Sequence, residues 1–505
     1  MGIPAYFRNI INDYNNILIQ QDLFNKKVNN LFFDLNCLIH PCCHGLSDEQ
    51  EMFDNIYLNM IKIIEICNPQ DLVYIAIDGV CPRSKVEQQK YRRFRSANEE
   101  KIWDTNAISP GTKFMNELNI FLKNKSYPIN TIFSDSSEHG EGEHKIMQYL
   151  KKYNNNDISI IHGLDADLIM LSMIKNNHIY LLRERTEYNI EGLESEYVYL
   201  DIEFLKWYLV KDIKKDFVKL PNQSIINDYI FLCFFIGNDF IHNSPCINIR
   251  YGGLDNLLKI YNKLQEENAG IFYLIHNNKL DLQNFKKFIH KLSIKENEYL
   301  EKILFIRGKQ EKKFKNMFHD IYHSYIDDKP LNMYQEDILE EFNNHIPIID
   351  RRDELKIFND LDKWNRRYYM FQIYHHHNYN PSYDDILDIL INYICKNYLE
   401  SFVWTANYYF DDCCSWKWYY RFHFAPSIKD FNNYLSQIND LNIIEEDKIP
   451  LTSKEQLRLI LPKKSFNLIP GVEKYPDYYY PKSFKTNYIM KRYNWEGHPI
   501  LPEII

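Results

Sequence analysis

Residues 158–173 read ISIIHGLDADLIMLSM. An apolar run, Ile158 to Gly163, stops at two aspartates, Asp165 and Asp167, and apolar character resumes at Leu168. A run this short and this continuously hydrophobic is the pattern of a strand buried on both faces. Four more stretches share the form: LFFDL (31–35), LVYIAID (72–78), TIFSD (131–135) and IYLLRE (179–184). Stretches of helical length lie between them, among them Gln50 to Cys67 and Glu143 to Tyr153. Strand-helix-strand repetition predicts an α/β fold with a doubly wound, mostly parallel sheet flanked by helices.

The two aspartates are not isolated. Asp34 lies near the end of the first strand and Asp78 ends the second. Glu141 and Glu143 sit in HGEGEHK, just before a helix, and Asp239 closes IGNDF after the apolar run Tyr229 to Gly237. Ligands of open parallel sheets gather outside the carboxyl ends of the strands, so these acids are expected to converge on one crevice. Clustered carboxylates repel one another and cost desolvation energy unless a cation neutralises them. An all-oxygen donor set suits Mg²⁺ or Mn²⁺. The expectation is two ions, with Asp34, Asp78, Glu141, Glu143, Asp165, Asp167 and Asp239 as metal ligands and catalytic residues of phosphodiester hydrolysis. A single acid in such a place is most often a cap or a surface charge; GEGE, DAD and two strand-end aspartates together argue otherwise.

A basic stretch follows Asp78 directly: GVCPRSKVEQQKYRRFRSA (79–97). Lys85, Gln89, Arg92 and Arg93 fall on one face of a helix. One ammonium, one amide and two guanidinium forks suit a terminal phosphate. His40, six residues after Asp34, is placed to overhang the same crevice and stack on a base. Cys42, Cys43 and His44 lack a second ligand pair at suitable spacing, so zinc is not read there. The HHH run at 375–377 reads as an exposed helix end.

The chain has 505 residues, enough for about three domains or one composite body,. It is 45% hydrophobic and 26% charged, which marks it as globular rather than disordered,. Lys and Arg number 60 against 69 Asp and Glu, a formal net charge of -9. That balance argues against a general nucleic-acid binder, so any positive charge for such a role must be local. The start, MGIPAYFRNIINDY, lacks the basic-then-apolar pattern of a secretory signal, and Tyr6 stands where a myristoylation signal has Ser or Thr,. The longest apolar run is far too short to span a bilayer. The 10 cysteines show no CxxC spacing and read as reduced thiols,. Further along, residues 251–314 look helical and charged, with a solvated charge run at 309–315 and a break at Asp327 to Pro330. From Ile349 the pattern is helical, with Ile386 to Tyr398 strongly periodic, then aromatic and irregular from Phe402 to Pro426. A Pro- and Tyr-rich tail from Pro450 includes PDYYYPKSF (476–484).

Taken in order, MGIPAYFR, LFFDLNCLIH, AIDGVCPRSKVEQQKYRRFRSA, ISPGTKFM, SDSSEHGEGEHKIM, HGLDADLIMLSM, LLRE and CFFIGNDF resemble the signatures of the Xrn family of 5′→3′ exoribonucleases. FVWTANYYFDDCCSWKWYYRFHFAP (402–426) resembles the hallmark of that family's second shared region, and EQLRLILP, YYPKSF and YNWEGHPILP its closing part. The resemblance implies that the seven acids hold metal and that Lys85, Gln89, Arg92 and Arg93 form a 5′-phosphate pocket. It implies that His40 stacks on the first base opposite a tryptophan of SWKWYY, Trp416 or Trp418, with Trp418 preferred. It implies an aromatic-rich helical second region packed around the active site. The expected division is a nuclease region over 1–310, a connector over 311–355 and the second region over 356–505.

The implied substrate is single-stranded RNA with a 5′-monophosphate, digested processively to nucleoside 5′-monophosphates in RNA turnover. No membrane is expected, the chain is expected to be a monomer, and protein partners are unknown. The cytoplasm is the expected compartment, with the nucleus, and a viral origin acting in a host cytoplasm, left open. The resemblance is to the catalytic core, without the long C-terminal extensions of cytoplasmic members or the zinc knuckle of some nuclear ones. Departures from the pattern fall at Ala5 and Asn9, where the family has Lys and Trp, at IHNSP (241–245), where it has Leu-Pro-His-x-Pro, and at RYGGLDNLL (250–258). The first would weaken RNA contacts; the others would alter packing near Asp239. A flap-type DNA nuclease shares the acidic cluster but not SWKWYY or the closing motifs. A non-catalytic RNA-binding scaffold would have lost a carboxylate, and none is missing.

Overall fold

In the strand Asn30–Asp34, Leu31 and Phe33 fall in one apolar core and Phe32 in another. That split follows from the two-residue period of a strand, and it recurs at Val73 and Ile75 against Tyr74, and at Ile160 against Ile161,. A sheet with two apolar faces must be covered on both sides. The computed structural model describes residues 6–97, 102–153, 157–185, 195–331, 334–377, 384–441, 443–471 and 484–501. Ala5 and most of the PDYYYPKSF tail lie outside them, as do the side chains of the HHH run.

The strands are β1 (Leu18–Gln20), β2 (Asn30–Asp34), β3 (Leu72–Ala76), β4 (Thr131–Ser134), β5 (Ile158–His162), β6 (His178–Glu184) and β7 (Tyr197–Asp201). They form one sheet in the order β1-β7-β6-β5-β2-β3-β4. β2 to β6 are parallel to their neighbours among themselves, while β7 and β1 add two antiparallel strands at one edge. All five strands expected from apolar runs are present. β1 and β7 were not expected, because their pairing is set by distant partners rather than by a long apolar run. The chain moves from β2 to β3 and β4 on one side, then returns to β5 and β6 on the other. The direction of winding therefore reverses between β2 and β5, and a crevice opens there at the carboxyl ends.

One face is covered by the Glu49–Cys67 and Lys113–Lys123 helices, the other by the Gly142–Lys152, Ala166–Ile174 and Asn222–Phe234 helices. Asp48 caps the first of these, accepting from the backbone N–H of Gln50 at 2.8 Å,. The run Tyr229 to Gly237 belongs mostly to the Asn222–Phe234 helix, buried all round from Tyr229 onward,.

Phe402 to Pro426 is less irregular than expected. The Asp384–Phe410 helix runs through its first third, and only from Asp411 does the chain leave helix. No Gly or Pro interrupts that segment, and Trp404 stacks on Tyr408 one turn on, with centroids 4.7 Å apart,. The boundary expected at 310 falls inside an unbroken helix, Leu282–Met317. The 311–355 stretch carries three more helices and a small core of its own around Phe318, Phe342 and Ile348. It is tied to that long helix by Arg307, whose Nε donates to Glu354 at 2.9 Å with both side chains buried. Among the described residues no helix is long and apolar enough to cross a membrane. All ten cysteines are free thiols.

Candidate active site

The strand ends deliver the acids, and a glycine lets them meet. Asp34 ends β2, and Asp78 follows β3 with its backbone N–H donating to Asn36 Oδ1 at 2.9 Å. Asp78 Oδ1 accepts the N–H of Gly142 at 2.7 Å, which draws the GEGE loop against the two strands. A Cβ at Gly142 would stand 2.6 Å from Asp34 Oδ1 and 3.2 Å from the Ala76 carbonyl. Only glycine allows that approach. Lys145 secures the loop from behind, donating to the carbonyls of Ile77 at 2.7 Å and Asp135 at 2.8 Å. Asp165 occupies the N-cap position of the Ala166–Ile174 helix with Asp167 in its first turn, and Glu143 lies in the first turn of the Gly142–Lys152 helix. Helix N-termini offset part of this negative charge.

A lysine stands inside the cluster. Lys85 Nζ lies 2.6 Å from Glu141 Oε1 and 2.9 Å from Asp239 Oδ2. Burial works against its charge, but Glu141, Asp239, Glu143 and Asp167 hold its pKa well above that of an ordinary lysine. One ammonium does not balance the acids around it. Burial, followed by repulsion from Asp78, Asp165 and Glu141, pushes Asp34 well above the usual carboxylate range. Burial raises Glu143 strongly too, against the pull of Lys85 and with repulsion from Glu141, Asp167 and Asp165. Asp167 rises to about 7 through burial and the charge of Asp239. Glu143 Oε2 and Asp167 Oδ1 are buried with no hydrogen-bond partner. Orphaned carboxylate oxygens among mutually repelling acids are what a bound divalent cation would satisfy, so the residues fit a hard metal. Glu141, Glu143 and His144 offer ligand atoms within 4.8 Å of one another.

Three participants were not foreseen. Tyr408 donates to Glu141 Oε2 at 2.8 Å. His144 packs on the Tyr408 ring with centroids 3.7 Å apart, and burial, then Lys85, lowers its pKa to about 3, so it is a neutral imidazole. Gln88 Nε2 reaches Asp239 Oδ1 at 3.4 Å. His144 could have been singled out as the neighbour of Glu143 in GEGEH; nothing in the order of residues couples Tyr408 to Glu141, 267 positions away.

The four residues expected to hold a phosphate are divided. Lys85 turns into the acids. Arg93 is buried and donates to Asn106 Oδ1 at 3.2 Å and to the Ile108 carbonyl at 3.3 Å, in the loop beyond the helix. Arg92 is exposed, and Gln89 Oε1 is buried without a hydrogen-bond partner. His40 is exposed near the end of the Asn36–Cys43 helix. The carbonyl of Trp416 accepts the N–H of Arg83 at 2.8 Å, and its ring meets His139 edge-on at 6.1 Å. Trp418 stacks on Trp404 at 5.6 Å and donates from Nε1 to Glu400 at 3.0 Å. Trp416 is thus the tryptophan against the loop that carries Glu141. Asn9, one of the departures, donates to Asp13 at 3.4 Å within its own helix.

Two family profiles match. Residues 1–185 match the XRN 5'-3' exonuclease N-terminus, and residues 219–346 and 329–504 match the Xrn1 helical domain. The chain belongs to the XRN family. XRN relatives include a 5'-3' exoribonuclease 2 of Arabidopsis thaliana, 26% identical over 99% of this chain and 66% of its own length. A 5'-3' exoribonuclease 1 of Homo sapiens is 28% identical over 100% of this chain and 33% of its own, and one of Schizosaccharomyces pombe 28% identical over 100% and 48%. The chain therefore spans about a third to two thirds of the length of the curated relatives it matches. Among solved structures, the catalytic core of Rad2 in complex with DNA substrate overlaps 60% of this chain and 80% of its own, at 13% identity and a TM-score of 0.35.

Proposed function

We propose that the chain is a metal-dependent 5′→3′ exoribonuclease that releases nucleoside 5′-monophosphates from 5′-phosphorylated single-stranded RNA. The observation that carries this is the convergence of seven acids, from beyond the ends of four strands and from one loop after a helix, around Lys85, with orphaned oxygens on Glu143 and Asp167. Membership of the XRN family supports the direction and the substrate. Divalent cations, two in this reading, would be held by these carboxylates and would supply Lewis acidity and charge neutralisation at a phosphodiester. Tyr408 and Gln88 fix the orientation of Glu141 and Asp239. Lys85 contributes positive charge beside the scissile phosphodiester, whose 3′ oxygen is the leaving group as water adds at phosphorus. Gln89 and Arg92, on the same helix face as Lys85, receive the 5′-phosphate. Arg93 supports that face by binding the carbonyl of Ile108.

The test is a time course on 5′-labelled and 3′-labelled 5′-phosphorylated RNA with Mg²⁺, scoring direction and product size. Early release of labelled mononucleotide from the 5′ end is expected; endonucleolytic fragments, or no turnover, would sink the reading. Asp165→Ala is expected to lose hydrolysis nearly completely while RNA binding persists. Arg92→Ala is expected to erode the preference for 5′-phosphate over 5′-hydroxyl RNA by roughly tenfold, the worth of one charge-assisted hydrogen bond.

A further inference from the structure

Behind Asp239, away from the other acids, lies a cavity of about 410 Å³. That volume is in the range of small-ligand pockets. One wall is a second face of the Arg83–Arg95 helix, bearing Gln88, Tyr91 and Arg95; the others come from residues 236–250, 420–424 and 487–499. Gln88 and Asp239 form the partition between the cavity and the acid cluster, joined by a hydrogen bond of 3.4 Å. Gln88 Oε1 is buried with no hydrogen-bond partner.

The lining is positively charged in balance. Glu87 is met by Arg83 at 2.6 Å, Asp239 by Lys85 at 2.9 Å, and Glu496 by Arg250. Arg92, Arg95 and Lys491 also line the cavity. Burial depresses the Lys491 pKa, opposed by Glu496 and reinforced by Arg250 and Arg307, so an anion there would relieve an unfavourable charge. The rest of the wall is aromatic. Tyr420 and Phe422 pack 5.8 Å apart, and His498 lies 4.2 Å from the Tyr91 ring and 5.0 Å from His242. Cations with donors recognise a phosphate monoester, and aromatic faces recognise a base. Ile241, His242, Asn243 and Pro245 of IHNSP line it too, as does Arg250, which opens RYGGLDNLL.

We infer that this cavity binds a nucleoside 5′-monophosphate, its phosphate toward Arg95 and Lys491 and its base against Tyr420 and Phe422. The inference rests on the exonuclease reading, since such a nucleotide is what hydrolysis beside Asp239 would release. The cavity then holds the product while the next nucleotide of the strand advances.

Binding is tested on the full chain in EDTA, by calorimetry with adenosine 5′-monophosphate, adenosine and inorganic phosphate. One saturable site for the nucleotide is expected, with each half-molecule bound roughly tenfold or more weakly. Lys491→Met should weaken nucleotide binding roughly tenfold. Phe422→Ala should weaken the nucleotide and adenosine but not phosphate, which serves if the first variant fails to fold. In Mg²⁺, the nucleotide should inhibit RNA hydrolysis non-competitively with RNA. No binding in EDTA, binding unchanged in a folded Lys491→Met or Phe422→Ala, or purely competitive inhibition would overturn the inference while RNA hydrolysis stands. Loss of the exonuclease reading would show instead as no RNA turnover, and the binding measurements decide the cavity independently of it.

Discussion

Lys85 brings one ammonium into the middle of seven carboxylates, and Tyr408 brings one hydroxyl. Each compensates part of a charge that water can no longer reach. Removing a partner from a buried carboxylate leaves the desolvation cost in place, about 1–3 kcal/mol. Tyr408→Phe is therefore expected to lower stability by about that much and to reduce kcat more than KM, read by thermal denaturation and steady-state kinetics. Asp167 permits a pH test. Its pKa in the folded chain, about 7, lies above its ordinary 3.8. A carboxylate raised in this way costs stability when ionised, so stability is greatest below the unfolded value and is lost as pH rises through about 7,. Asp167→Asn should raise the melting temperature of the metal-free chain at pH 8, and the gain should shrink as pH falls to 6. A gain that does not change with pH would exclude this ionisation as its source. That Asp34, Asp78, Glu141, Glu143, Asp165 and Asp167 lie close together was legible at this scale, because strand ends and GEGE and DAD spacing are local; Asp239 follows a helix, and only the apolar run before it marked it. Where Lys85 and Arg93 point was not, since periodicity names a helix face and not the partner on it.

The loop from Ser134 to Gly142 and the helix that follows do more for the site than any other element. Gly142 sits against Asp34 at a distance no Cβ tolerates. Gly142→Ala is expected to destabilise the fold by about 1–3 kcal/mol through overpacking and to displace Asp34, with activity falling further than stability. Full activity in a folded Gly142→Ala chain would show that the contact is not needed. Secondary structure was readable where it is written in short-range pattern, as in β2 to β6 and the Glu49–Cys67 helix. β1 is three residues long and depends on Leu200, Tyr199 and Val198 for its pairing, which no local window contains. Aromatic crowding from Phe402 to Phe410 concealed a helix, because bulky rings blur the apolar period that would announce it.

Across the whole molecule, an acidic chain still places a dense group of positive charge directly beside its acid cluster. The net charge of -9 includes the cluster of acids that a bound cation would offset, while one helix after Asp78 carries Arg92, Arg93 and Arg95. The sequence by itself determined the parallel sheet, the convergence of its strand ends, the basic helix beside them and the family, because each is carried by spacing along the chain. Only the tertiary structure decided that Lys85 lies among the acids, that Tyr408 reaches Glu141 across 267 residues, and that a cavity opens behind Asp239. Those features depend on how separate elements pack. Side-chain direction, burial and the balance of charge at a shared wall exist only once distant segments have been brought into contact.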